Sequence, residues 1–131
     1  MRDVVRSRSV PQIIVSNADY ERLTDLANAS LQRLPAVAQE LLDEMDRARV
    51  VEPSAVPADV VRMGSTVTFK SDDGHTRTLQ LVYPAEESLD QHRISVMTPV
   101  GAALIGLAEG QSISWTARDG RRHELTVLKV T

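Results

Sequence analysis

The sequence predicts an α+β protein: a short antiparallel helical hairpin followed by a mostly antiparallel β domain that carries one short helix. Three observations support this. Apolar residues recur at helical spacing in two stretches before residue 50. Pro53 and Pro57 then interrupt the chain. Beyond Asp59 the pattern changes to short β-favouring runs separated by turn sequences.

Taken in order, residues 1–15 read as an N-terminal arm that ends in a short extended run, Ile13-Ile14-Val15. That run is expected to add an edge strand or to pack against the base of the hairpin. Residues 16–51 are the hairpin. Ser16 is placed to cap its first helix, with Asp19 at the capping-box position. Tyr20, Leu23 and Ala27 follow on one face, and the helix is expected to run to Ala29 or Ser30. Pro35 suits the first turn of the second helix, where a missing amide hydrogen costs nothing. Ala38, Leu41, Met45 and Ala48 then make a two-heptad seam. Periodicity alone leaves open whether the two helices form a coiled-coil hairpin or simply pack on a sheet.

Residues 52–59 read as a linker, and residues 60–131 as the β domain. Thr66–Lys70 and Thr76–Tyr83 flank the turn Ser71-Asp72-Asp73-Gly74-His75, a hairpin pattern. Ile94–Met97 is a short strand, and Val100–Leu107 a short apolar helix or turn after Pro99. Ser112–Ala117 and His123–Val130 flank an Asp-Gly turn and form a second hairpin. Arg118, Arg121 and Arg122 cluster at that turn and read as a solvated surface.

Composition narrows the functional classes. Apolar residues make up 42% and charged residues 25% of the 131, which is ordinary for a globular chain. Aromatic content is only 3%, so a base-stacking surface or an aromatic ligand cage is not expected. There is no cysteine, which excludes disulfides and thiolate metal sites and is compatible with the expected cytoplasmic location. No apolar run approaches the ~18 residues of a membrane span. A net charge of -3 argues against non-specific nucleic-acid binding. His75, His92 and His123 lack metal-ligand spacing and read as surface residues. Neither a nucleophile elbow nor a phosphate-binding glycine loop is present. The expectation is a protein without catalytic residues, metal or cofactor.

Two strings carry a resemblance. Met63-Gly64-Ser65-Thr66-Val67-Thr68-Phe69 resembles the entry strand of the Gre transcription-factor C-terminal domain. Ile94-Ser95-Val96-Met97-Thr98-Pro99-Val100-Gly101-Ala102-Ala103-Leu104-Ile105-Gly106-Leu107 resembles that domain's most recognisable stretch, and Gly110 follows in order. Together the motifs span about residues 52–130. Leu81-Val82-Tyr83-Pro84-Ala85, the Asp59-Val60-Val61 entry and the short hairpin resemble the Rnk branch of the Gre family, the regulators of nucleoside diphosphate kinase. The resemblance implies an FKBP-like β domain bearing a coiled-coil hairpin. It also implies a transcription regulator that binds RNA polymerase at the rim of its secondary channel, mainly through the C-terminal domain. DNA and RNA would be met only indirectly, through the polymerase. No membrane and no small-molecule substrate are implied.

Two segments are the expected contact sites. One is the stretch Met97, Thr98, Pro99, Val100, Gly101, Ala103 and Leu104, where proline fixes the backbone and small residues allow close approach. The individual side chains could equally serve the core. The other is the hairpin tip, Leu31, Gln32, Arg33, Leu34 and Pro35. Gre factors that stimulate transcript cleavage present acids at this tip to help hold a metal ion, whose hard character calls for carboxylate oxygen. Here the tip has none, the nearest acids being Asp25 and Glu40. A first helix of ~14 residues also spans only roughly 21 Å. The expectation is a Gre-like binder that competes with Gre factors without cleavage; the alternative is a cleavage factor. Prolyl isomerase activity would need an aromatic pocket, and only Phe69, Tyr83 and Trp115 lie in the β domain.

Overall fold

The computed structural model describes residues 11–131. The expected arm over residues 1–11 lies outside the described residues except for Pro11. Strand β1 (Ile14–Ser16) leads directly into helix α1 (Asn17–Ala29). Ser16 caps that helix with extended backbone, and its Oγ accepts from the Asp19 amide at 3.1 Å. The reciprocal half of a capping box is absent, because the Asp19 carboxylate instead accepts from the Met63 amide at 3.4 Å. Helix α2 (Pro35–Arg47) opens on proline and returns the chain to strand β2 (Arg49–Val51).

Strands β1 and β2 pair in parallel, Ile14 opposite Arg49 and Val15 opposite Val50, and so clamp the base of the hairpin. Arg47 reinforces the clamp, its guanidinium bonded to Glu44 and to the Pro11 carbonyl. The chain then passes a short turn, Pro53–Ala55, into the β domain.

That domain is a five-stranded sheet in the order β5-β4-β3-β7-β6. The strands are β3 (Thr66–Ser71), β4 (Thr76–Val82), β5 (Arg93–Ser95), β6 (Ser112–Thr116) and β7 (Arg122–Val130). Both sequence-predicted hairpins, β3–β4 and β6–β7, are present and antiparallel. One pair, β4–β5, is parallel. A bulge between Thr68 and Phe69 shifts the β3–β7 register and leaves Leu128 exposed. Helix α3 (Pro99–Leu104) follows β5 and packs against β6 and α2.

One apolar cluster joins hairpin and sheet. Leu23, Ala27, Val37, Ala38, Leu41 and Met45 from the helices pack with Val67, Phe69, Leu81, Leu104, Leu107 and Leu125 of the β domain. Ala38, Leu41 and Met45 of the seam are thus buried between the partner helix and the domain, with Ala48 half-buried beyond them. Gly106 makes part of this packing possible. It adopts φ +83°, and a Cβ there would lie 2.7 Å from the Ile13 Cβ. Without it β1 could not reach the domain, where the Ile14 amide donates to the Gly106 carbonyl at 3.2 Å.

Candidate functional site

The predicted contact stretch begins where β5 ends. Ser95, buried in the core, bonds the Met97 amide through its hydroxyl at 3.0 Å. Its carbonyl accepts from the Thr98 hydroxyl at 2.7 Å. Thr98 in turn caps α3, its Oγ1 accepting from the Gly101 amide at 3.1 Å. Pro99 is the first helical residue. Local sequence thus builds a corner tied by three side-chain hydrogen bonds.

The corner divides the predicted residues. Met97, Gly101, Ala103 and Leu104 are buried beneath it. Only Thr98, Pro99 and Val100 keep partial exposure and form a ridge. Gly101 holds the ridge close to the sheet: a Cβ would lie 2.8 Å from the Val96 Cα and closer still to the Ser95 carbonyl oxygen.

The hairpin tip lies beside this ridge. Leu31 through Ala36 are exposed, and Leu34 is 41% accessible. Ser30 beneath them is buried, its hydroxyl donating to the Leu26 carbonyl at 2.8 Å. A groove of about 450 Å³ runs between Leu34 and Pro35 of the tip, Pro99 of the ridge, and Ala117 and Arg118 of the β6–β7 turn. A second hollow of about 690 Å³ continues across the ridge to Leu89, 74% exposed, and Trp115. Both predicted segments therefore contribute to one continuous, largely apolar face, edged by Arg33 and Arg118. Sequence reasoning did not include Leu89, Trp115 or Arg118 in the site. Their link to it is purely tertiary, although the Arg118 cluster was visible as charge.

On α2 the acids begin at Glu40, more than one turn past Pro35. Glu40 lines the groove and, with Asp43 and Glu44, the small hollow against Ala102 and Trp115. Burial, then the charges of Glu44 and Asp43, push its pKa above 4.5. The Glu44 pKa is also raised, by burial first, against the opposing Arg47 at 2.6 Å. Glu40 and Glu44 thus face the domain, where burial disfavours their charged forms. Among the described residues there is no His, Asp or Glu group able to hold a metal ion.

Two of the three aromatics of the β domain, Phe69 and Trp115, share a small cavity of about 190 Å³ with Leu79, Val100 and His123. Phe69 is core, Trp115 stacks beside His123 with ring centroids 5.1 Å apart, and Tyr83 lines a different cavity. His75 pairs with Asp73 and His123 with Asp72, at 3.1 and 3.3 Å. His92 is exposed, in a left-handed turn conformation. No helix among the described residues is long and apolar enough to cross a membrane.

A sheet of this topology, entered at Gly64 and closed by a proline-initiated helix after β5, defines a class. Residues 56–131 match the family described as transcription elongation factor, GreA/GreB, C-terminal, and residues 11–51 match the Rnk N-terminus. The chain belongs to the GreA/GreB family and, within it, to the Rnk type. It is 41% identical over 123 residues to the regulator of nucleoside diphosphate kinase of Escherichia coli K12, covering 93% of this chain and 90% of that protein. The transcription elongation factor GreA of Azorhizobium caulinodans is 34% identical, over 81% of this chain and 66% of the relative. Among solved structures, a prokaryotic transcription elongation factor GreA/GreB from Nitrosomonas europaea superposes with a TM-score of 0.72 at 37% identity. That match covers 91% of this chain and 98% of the other.

Proposed function

We propose that this chain binds RNA polymerase at the rim of the secondary channel through the Thr98-Pro99-Val100 ridge and competes there with Gre factors without stimulating transcript cleavage. Family membership supports the partner. The ridge supports the mode: a prebonded corner loses little conformational entropy on docking. Met97, Gly101, Ala103 and Leu104 serve as its foundation, while Leu31–Pro35 extends the contact face toward the channel entrance.

The observation that carries the no-cleavage half is the position of the tip. It contains no carboxylate and lines one groove with the β6–β7 turn, so it does not stand clear of its own domain. The nearest acid on α2, Glu40, lies more than one turn past Pro35 and lines both the tip groove and the domain hollow. Metal-assisted phosphodiester chemistry needs oxygen ligands delivered to the reacting phosphate. A tip of this reach and composition delivers none.

The test uses core RNA polymerase immobilised and offered the full chain. Retention is expected, with loss on adding excess Gre factor, and V100D is expected to weaken retention while the far-ultraviolet spectrum stays native. Stalled elongation complexes given the chain and Mg²⁺ are expected to keep their transcript length. No retention, or retention indifferent to Gre factor, overturns the docking site. Transcript shortening overturns the absence of cleavage.

A further inference from the structure

A separate cavity, of about 680 Å³, lies at the junction of hairpin and β domain. It shares no lining residue with the Thr98–Val100 ridge. Its walls come from α1 (Asp19, Arg22), from the β4–β5 edge (Gln80, Arg93) and from the segment after β4 (Tyr83, Glu86). Gln80 and Arg93 are register partners on adjacent strands, so their side chains emerge on the same sheet face. The volume falls in the ordinary range of small-molecule sites, roughly 300–1,000 Å³.

Its charges are balanced, two arginines with two carboxylates. The net charge is -3, yet two guanidinium groups line one cavity, and neither makes an ion pair within 4.0 Å among the described residues. Arg22 is held flat against the Tyr83 ring, its Cζ 4.1 Å from the ring centroid. That stacking fixes the guanidinium while leaving its N–H edge free. The Tyr83 hydroxyl is closed off from solvent and has no hydrogen-bond partner. Burial first, then the Asp19 charge, raise its pKa, so it stays a neutral donor.

Asp19 and Glu86 add acceptors to the same walls. Asp19 sits in the first turn of α1, where the positive helix end offsets its charge. Two cations, one of them held by stacking, matched with carboxylate acceptors do not suit an apolar ligand. They suit a molecule with a dianionic group at one end and hydroxyl donors at the other.

We propose that the cavity between α1 and the β4–β5 edge binds a small phosphate monoester with a hydroxylated body, its phosphate held by Arg22 and Arg93 and its hydroxyls by Asp19 and Glu86. Such a ligand touches hairpin and domain at once. Occupancy therefore also strengthens the tie between them, which at this point rests on the long Asp19–Met63 bond and the Arg22–Tyr83 stack.

The probe is ribose 5-phosphate, titrated into the nitrogen-15-labelled full chain at constant ionic strength. Saturable shifts are expected at the Gly64 amide and at the Arg22 and Arg93 Nε–H groups. R22Q and R93Q are each expected to weaken binding about tenfold or more, the scale of one lost charge-assisted bond. R77Q, on β4 but outside the cavity, is expected to bind as the parent does. Absence of saturable shifts to about 20 mM, or binding that survives the double variant R22Q/R93Q, overturns the site. Binding no tighter than that of inorganic phosphate overturns the roles given to Asp19 and Glu86. Polymerase plays no part in the measurement, so its outcome is independent of the docking proposal.

Discussion

Replacing Gly101 by alanine tests how the contact ridge is built. The added Cβ meets backbone, not a side chain that can swing away: the Val96 Cα at 2.8 Å, the Ser95 carbonyl carbon at 3.0 Å, and the Ser95 oxygen closer still. Helix α3 must move off the end of β5. Overpacking of this kind costs about 1–3 kcal/mol. The movement also loosens the Thr98 cap, which bonds the very amide of residue 101, and a lost cap costs about 1 kcal/mol. The sum, about 2–4 kcal/mol, is a large share of the roughly 5–15 kcal/mol that holds a domain folded. Urea unfolding followed by Trp115 fluorescence reads the change. In the same assay G64A is the control. Gly64 has φ +90° but nothing within 4 Å of a Cβ, so only the left-handed penalty of about 1–2 kcal/mol applies. A G101A chain within about 0.5 kcal/mol of the parent, smaller than any term summed above, would refute the reasoning.

Four further outcomes are expected. T98A removes both the cap and the bond to the Ser95 carbonyl, and is expected to cost about 1–2 kcal/mol in urea titrations, with T98S recovering most of it. L41A opens a cavity under a fully buried side chain and is expected to cost about 2–5 kcal/mol. Because Leu41 shares one cluster with the sheet, circular dichroism at 222 nm and Trp115 fluorescence should still report a single coincident transition. For Glu40, a folded pKa above 4.5 means that the native state holds the proton more tightly than the unfolded chain. Its contribution is therefore fully present below pH 4.5 and lost as the pH rises through the folded value. E40Q should accordingly be more stable than the parent at pH 7, with the difference closing in acid, as followed by thermal melts. Placing acids on the tip by L31D/Q32E is expected to leave transcripts in stalled complexes uncut. A gain of cleavage would show that reach is not limiting.

The sequence made the elements legible where local chemistry decides them. Ser16 and Pro35 start helices for reasons contained within one turn, and the Asp-Gly turn sets the β6–β7 hairpin. The seam Ala38, Leu41, Met45 was readable as buried, but not what buries it. Periodicity is the same whether a helix face meets another helix or a sheet, and here α2 meets both. Strand β2 was not readable. Arg49–Val51 is too short to show alternation, and its pairing with Ile14–Ser16 depends on the hairpin bringing distant segments together. In the contact stretch, composition identified the corner but could not sort its residues. Thr98, Pro99 and Val100 differ from Met97, Gly101, Ala103 and Leu104 by which way the corner turns them, a property of the α3 placement and not of residue type. The cavity around Arg22 and Arg93 left no sequence signal at all, since its cations lie 71 positions apart.

The packing that sets Glu40 and Glu44 against the domain also bears on how, in the proposed function, binding and chemistry separate within one fold. The ridge depends on β5, α3 and their internal bonds, and asks nothing of the hairpin's length. Reach depends on how far the helices run past the domain. Here α1 and α2, at 13 residues each, are used up in covering the domain: Leu23, Ala27, Leu41 and Met45 are all spent on the shared core. At 1.5 Å per residue each helix spans about 20 Å, and the tip comes level with the β6–β7 turn. Lengthening the helices would extend reach without disturbing the ridge, because the added turns would lie beyond the buried seam. Docking and reach are therefore independent variables in this architecture. In the docking mode proposed above, a short hairpin occupies the site and delivers no carboxylate past it.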